Sequence, residues 1–177
     1  MLKAAIAAFR RDGYGGTSIK SLERETGLSS GSLYNSFGDK DAIFRQAFSH
    51  YNQIVVAARM DKYLAGVLPV EELRSLFLSL LDEPDGGSIG CLLTNSAIEF
   101  GTGDSAVKAD VQSGFQIEET AFLNSVARLP AASAAQAIKL LALYQGILVL
   151  VRSGYSKAKL HDMINHEFNN FGGDEND

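Results

Sequence analysis

The sequence predicts an all-α fold of about nine helices. They divide into an N-terminal three-helix helix-turn-helix domain over 1–48, a helical domain over 49–171 and a disordered acidic tail over 172–177. Three observations carry this. Apolar residues recur at spacings of three and four along most of the chain, with no period-2 alternation. Proline occurs only at 69, 84 and 130, each time between two such periodic stretches. Cap-forming Ser, Thr and Asp precede the stretches, and glycines follow several of them. With 46% apolar residues in 177, the chain can bury a sizeable core and is not of disordered composition.

The first helix spans 2–12, with Leu2, Ala5, Ile6 and Phe9 on one face. Gly13 ends it, and Tyr14 with Gly15 and Gly16 leads to Thr17. Thr17 is placed to cap a short second helix carrying Ile19, Leu22 and Glu23. Gly27 reads as the left-handed residue that stops this helix, and Leu28 fills the corner. Ser29 caps a third helix ending near Phe37. Two short helices joined by a three- or four-residue turn containing Gly have the layout of a helix-turn-helix. Leu33 and Phe37, four apart, anchor the inner face of the third helix; Ser30, Gly31, Ser32, Tyr34 and Asn35 make a small, polar outer face. Glycine inside a helix costs about 1 kcal/mol relative to alanine, so Gly31 suggests a backbone that something must approach closely. Asp39 caps the next helix and puts Lys40 in its first turn, where a cation opposes the helix dipole. A phosphate held between that helix start and the ammonium would resolve the conflict.

A long helix follows from Asp39 to about Leu64, with Ile43, Phe44, Ala47, Phe48, Tyr51, Ile54, Val55 and Ala58 as its stripe, and 66–69 breaks it. Leu73, Leu76, Phe77, Leu80 and Leu81 define a helix over 70–81, and 84–88 reads as a loop. A short apolar helix spans 89–100. After a turn over 101–104, with Asp104 as a possible cap, a long helix covers 106–129. Residues 132–151 form the most apolar helix, Gly154 ends it, and 157–171 is a last amphipathic helix with Leu160, Ile164 and Phe168 at spacing four.

Charge is asymmetric. The net charge is −5, yet residues 1–50 hold seven Lys/Arg against five acids. The more positive part therefore coincides with the helix-turn-helix, at a level that gives only weak non-specific attraction to phosphates. One cysteine, Cys91, excludes an internal disulfide framework and fits a reducing, cytoplasmic setting. No secretory signal is visible, and apolar runs such as 147–151 are far below a membrane span of about 20 residues. His50, His161 and His166 are scattered, and no metal-protease, serine-hydrolase, P-loop or dinucleotide motif occurs, so no catalytic, metal or cofactor residue is assigned. Glu118 and Glu119 read as a solvated face.

Phe9-Arg10-Arg11-Asp12-Gly13-Tyr14-Gly15-Gly16-Thr17-Ser18-Ile19, followed by Gly27-Leu28-Ser29-Ser30-Gly31-Ser32-Leu33-Tyr34-Asn35-Ser36-Phe37-Gly38-Asp39-Lys40, resembles the N-terminal domain of TetR-family transcriptional repressors. The resemblance is specific over about residues 2–48; beyond them the chain matches only in length and helical layout. It implies a sequence-specific DNA-binding regulator that holds double-stranded operator DNA as a homodimer. Thr17, Tyr34 and Lys40 are then expected along the phosphates, Ser30, Ser32 and Asn35 at base edges, and Gly31 where the backbones approach, with Ser18 and Ser29 also among the DNA-binding residues. Relatives usually carry a basic arm ahead of the first helix; here it is absent, so either the chain is clipped or affinity rests on the helices.

The resemblance also implies pairing through the last two long helices. Apolar residues on nearly every face of 132–151 agree with that, because one surface needs its own core and another a partner. Leu143, Ile147, Leu150, Leu160, Ile164 and Phe168 are the candidates for the interface. A small-molecule effector is expected among the helices over 70–151, with Phe77, Cys91, Asn95, Glu99, Gln112, Phe115, Gln116 and Tyr144 as candidate contacts. Cys91 opens the helix over 89–100, and a helix N-terminus favours a thiolate, so an electrophile- or redox-sensing variant of the same fold is an alternative. A helical enzyme carrying a helix-turn-helix-like segment and an adaptor that binds protein rather than DNA are the rivals.

Overall fold

A computed structural model describes residues 1–82, 89–101, 106–130 and 133–171. Among them are ten α-helical segments and no strand: α1 (Leu2–Gly16), α2 (Ile19–Thr26), α3 (Ser30–Phe37), α4 (Lys40–Tyr51), α5 (Ala58–Leu64), α6 (Pro69–Leu78), α7 (Leu92–Phe100), α8 (Ala106–Val126), α9 (Ala134–Arg152) and α10 (Lys157–Asn169). The single helix expected from Asp39 to Leu64 is interrupted by a π-helical stretch, Asn52–Ala57, which separates α4 from α5 along one helical run. Counted as one, they leave nine helices. The loop expected over 84–88, the possible cap at Asp104 and the tail over 172–177 lie outside the described residues.

The chain packs into two compact units, Met1–Val55 with Ile89–Phe115, and Val56–Ser88 with Gln116–Asp177. The unit that contains the helix-turn-helix therefore also includes α7, far along the sequence. Its core is aromatic. Phe44 lies at the centre, with the rings of Phe9, Tyr14, Phe48 and Phe100 at centroid distances of 4.8, 5.2, 5.7 and 5.6 Å. The edge-on approach of Phe9 and Tyr14 is the geometry that ring quadrupoles favour.

In the second unit Phe77, Phe122, Tyr144 and Phe168 form a corresponding cluster, with centroids 5.0–6.0 Å apart. Helix α9 begins with Ser133, whose side chain and that of Gln136 cap each other's backbone N–H groups. Its inner face buries Ala137, Leu140, Tyr144, Ile147, Leu148 and Val151. By length and composition α9 could cross a membrane. Its inner face packs within the second unit and Lys139 pairs with Glu167 at 2.7 Å, while a second apolar face is left open. That face carries Ile138 (56% exposed), Val149 and Leu150.

Candidate nucleic-acid interface

Local chemistry sets the frame of the helix-turn-helix. Gly27 adopts φ 72°, which only glycine takes without strain, and closes α2 as expected. Ser29 caps α3 by accepting from the Ser32 N–H. The cap of α2 is Ser18, not Thr17: the Ser18 and Ser21 side chains satisfy each other's backbone donors. Thr17 is fully buried and its hydroxyl donates to the Gly13 carbonyl at 2.6 Å. Its side chain cannot lie against a phosphate, which corrects the role assigned to it above. Two adjacent residues were equally able to cap, and only the fold chooses which one turns inward.

Helix α3 presents its expected faces. Leu33 is fully buried, and Gly31, Ser32, Tyr34, Asn35 and Ser36 are exposed. Ser18 and Ser29 are exposed as well, although their hydroxyls serve as caps. Ser30 is half-buried, and its N–H donates to the Glu23 carboxylate of α2. Glu23 thereby ties the start of the reading helix to the helix before it. Sequence reading placed Glu23 only in an amphipathic turn; a carboxylate seven residues ahead of a helix start is a weak signal, because nothing local says that it reaches across the turn.

Asp39 caps α4 through the Ala42 N–H at 2.8 Å, and Lys40 occupies the first turn as expected. The structure adds a partner. The Lys40 ammonium sits 4.1 Å from the centroid of the Tyr14 ring, a cation–π contact that offsets the unfavourable dipole. The Tyr14 hydroxyl donates to Asp41. That bond, then burial, then the charge of Asp41 push the phenol up to about 12. Tyr14 therefore stays neutral throughout the physiological range and holds the lysine stem in place with its head still available.

The eight effector candidates divide between the units. Phe77 and Tyr144 belong to the aromatic core of the second. Gln112 and Gln116 are exposed on α8 and Phe115 is half-buried. In the first unit, Asn95 and Glu99 bond to α1 rather than to each other, and Asn95 Nδ2 also donates to the Ile89 carbonyl at 3.2 Å. Cys91 is buried at the cap position of α7 and accepts from the Tyr51 hydroxyl at 3.3 Å, with burial holding the Tyr51 phenol well above its usual range. That is the setting of a packed thiol rather than a reactive one. Of the interface candidates, Ile147, Leu160, Ile164 and Phe168 face the chain's own core. Leu143 is half-buried and Leu150 is exposed. A helix that is apolar all round does not reveal which face goes in, and the spacing of 160, 164 and 168 marked the inward face of α10.

Glu118 is the residue sequence reading misjudged most. It is 1% exposed, not solvated, and accepts from the Gln145 side-chain amide at 2.6 Å. Burial pushes its carboxyl up to about 8, opposed by the Gln145 amide and the positive charge of Arg59. In the unfolded chain the same group ionises near 4.5. Between those values the folded protein holds a proton that the unfolded chain has lost. Stability therefore falls as pH rises through that window, by up to about 1.4 kcal/mol per pH unit. A Glu118→Gln variant, which keeps an acceptor for Gln145, is expected to resist urea better than the parent at pH 8, with the gap closing towards pH 5. A gap of the same size at both pH values would show that Glu118 is not the group responsible. Among the described residues no cluster of His, Cys, Asp or Glu is placed to hold a metal.

Residues 1–47 match the family described as bacterial regulatory proteins, tetR family. An uncharacterized HTH-type transcriptional regulator of Bacillus subtilis (strain 168), YezE, is 33% identical over 102 residues. That stretch is 56% of this chain and 52% of YezE, so the match spans about half the length of each. Among solved structures, a cysteine mutant of the TetR family transcriptional regulator CifR, complexed with 26 bp double-strand operator DNA and apo-CifR, has a TM-score of 0.81. Its identity is 21%, over 96% of this chain and 94% of that one. A TetR transcriptional regulator from Chloroflexus aurantiacus J-10-FL gives 0.81 at 24% identity, over 97% and 92%. At these identities the structural likeness speaks for the fold.

Proposed function

We propose that this chain, whose residues 1–47 match the tetR family of bacterial regulatory proteins, is a cytoplasmic, homodimeric repressor that binds a pseudo-palindromic operator and lets go when a small molecule binds its C-terminal helices. The observation that carries the reading is the outer face of α3. Gly31, Ser32, Tyr34 and Asn35 stand exposed on a short helix whose position is set by Leu33, Ser29 and Glu23. Small polar side chains on the exposed face of a helix suit a major groove, where base edges offer hydrogen-bond partners. CifR, which shares the fold, is complexed with double-strand operator DNA, which supports DNA as the partner proposed for this chain.

In this reading two copies pair through the open face of α9, using Ile138, Val149 and Leu150 with Leu143 beside them. Two-fold pairing buries the same stripe twice and sets two reading helices about one DNA turn apart. The effector is recognised near the buried Glu118 and the half-buried Gln145 of the second unit, which are bonded to each other. An effector must bind the released arrangement more tightly than the DNA-bound one, or it shifts nothing. The test is a gel shift on the DNA upstream of the chain's own coding sequence, run beside light scattering. The parent should be a dimer that retards this DNA, and Ile138→Glu with Val149→Glu should be a monomer binding at least about tenfold more weakly. A folded double variant that still dimerises and binds as the parent does would remove α9 from the interface. A parent that retards no DNA would favour the adaptor.

A further inference from the structure

We propose that Asn95 and Glu99 of α7 are positioning residues for DNA reading: they hold open a break in α1 from which the helix-turn-helix is hung. The inference rests on the DNA-binding reading above and adds residues that sequence reasoning assigned to an effector.

Gly13 interrupts α1 with φ 73° and ψ 177°. In an unbroken helix the Tyr14 N–H would donate to the Arg10 carbonyl, and Gly15 to Arg11. Here α7 takes over these groups. The Glu99 carboxylate accepts from Tyr14 N–H at 2.8 Å with Oε2 and from Gly15 N–H at 2.6 Å with Oε1. One turn earlier on the same face, Asn95 Nδ2 donates to the Arg10 carbonyl at 3.1 Å. Donor and acceptor of the broken helical bond are thus both met from one neighbouring helix. Bonds from backbone amides to a carboxylate are of the strong, charge-assisted kind. The glycines make room for it: a Cβ on Gly13 would lie 2.9 Å from Glu99 Oε2, and one on Gly15 3.2 Å from Oε1.

The held segment leads straight into the reader. Thr17 is bonded back to Gly13, Ser18 starts α2, and Glu23 of α2 holds the start of α3. Tyr14, whose N–H is held, carries Lys40 on its ring and packs on Phe44 and Phe100. Arg10 Nε donates to the Gly90 carbonyl at 2.8 Å, just ahead of α7. A movement of α7 is therefore passed to the start of α2 through hydrogen bonds rather than through loose packing. Glu99 touches no base or phosphate in this scheme; it acts through Tyr14 and Gly15.

The test uses the full chain and a duplex selected by it from a random library. Glu99→Ala should bind that duplex about tenfold or more weakly with an unchanged salt slope, because no phosphate contact is removed. Glu99→Gln, with one acceptor oxygen, should fall between. Gly15→Ala should weaken binding in the parent but not in the Glu99→Ala background, since the crowding it creates is with the carboxylate. In nuclear magnetic resonance spectra, Glu99→Ala should move the amide signals of Tyr14 and Gly15 and carry the change on to Ser18 and Ser30, while far-ultraviolet dichroism keeps its helical signal. Parent-like affinity for a folded Glu99→Ala variant, additive losses in the Gly15 cycle, or α2 and α3 amides that stay still would each overturn the proposal. If the library yields no duplex, the DNA-binding reading falls, and the amide signals alone still decide whether Glu99 sets the position of α2 and α3.

Discussion

Alanine at Lys40 or at Tyr34 should lower affinity for every duplex, operator or not, and flatten the salt dependence. Tyr34 is 47% exposed on the outer face of α3, and Lys40 stands in the first turn of α4 with its ammonium over the Tyr14 ring. In the proposed docking both lie along phosphates rather than base edges. Loss of one such contact by a cation releases one counterion fewer, so the slope of log K against log salt should drop by about 1 for Lys40→Ala. Tyr34 donates a neutral hydrogen bond, and Tyr34→Ala should show more of its loss in affinity than in slope. Asn35→Ala should behave differently: its side chain is exposed beside Tyr34, and its loss should change which sequences are preferred. Fluorescence anisotropy of labelled duplexes over a series of salt concentrations reads all three. If Lys40→Ala and Tyr34→Ala both retain affinity and slope, the docking of α3 and α4 is wrong. The Tyr14 hydroxyl, bonded to Asp41, is not expected to contribute to any pH dependence near neutrality, since its phenol is pushed up to about 12.

The largest effect on stability belongs to Phe44. It is fully buried and meets four other rings, Phe9, Tyr14, Phe48 and Phe100. Phe44→Ala should cost about 3–5 kcal/mol, from lost apolar burial and the cavity left among rings that cannot collapse into it. A loss of that size is a large share of the stability of an ordinary domain. Phe44→Leu, which retains most of the apolar volume, should cost clearly less. Urea unfolding followed by far-ultraviolet dichroism measures both, since the chain has no Trp to report by fluorescence. A cost below about 1 kcal/mol for Phe44→Ala would mean that the ring cluster is not the core of the first unit.

What the sequence determined by itself is whatever depends on neighbours within a turn or two. The helix count, the breaks near Gly66, Pro69, Pro130 and Gly154, the cap at Ser29, the left-handed Gly27 and the two faces of α3 all follow from spacing and from which residues tolerate which backbone. So did the resemblance to the TetR family over residues 1–47, because its signature lies in one local motif. Tertiary structure decided the rest, because one side chain's surroundings are set by residues far along the chain. Nothing near Thr17 says that it, and not Ser18, turns inward to Gly13. Asn95 and Glu99 were legible as a polar pair on one helical face, but their partners lie some eighty residues earlier, in a break of α1. Glu118 and Glu119 look alike in sequence; only the approach of Gln145 separates a buried carboxyl from its neighbour. On α9, where apolar residues cover nearly every face, periodicity carries no direction, and packing alone turned Ile147 inward and left Ile138, Val149 and Leu150 open.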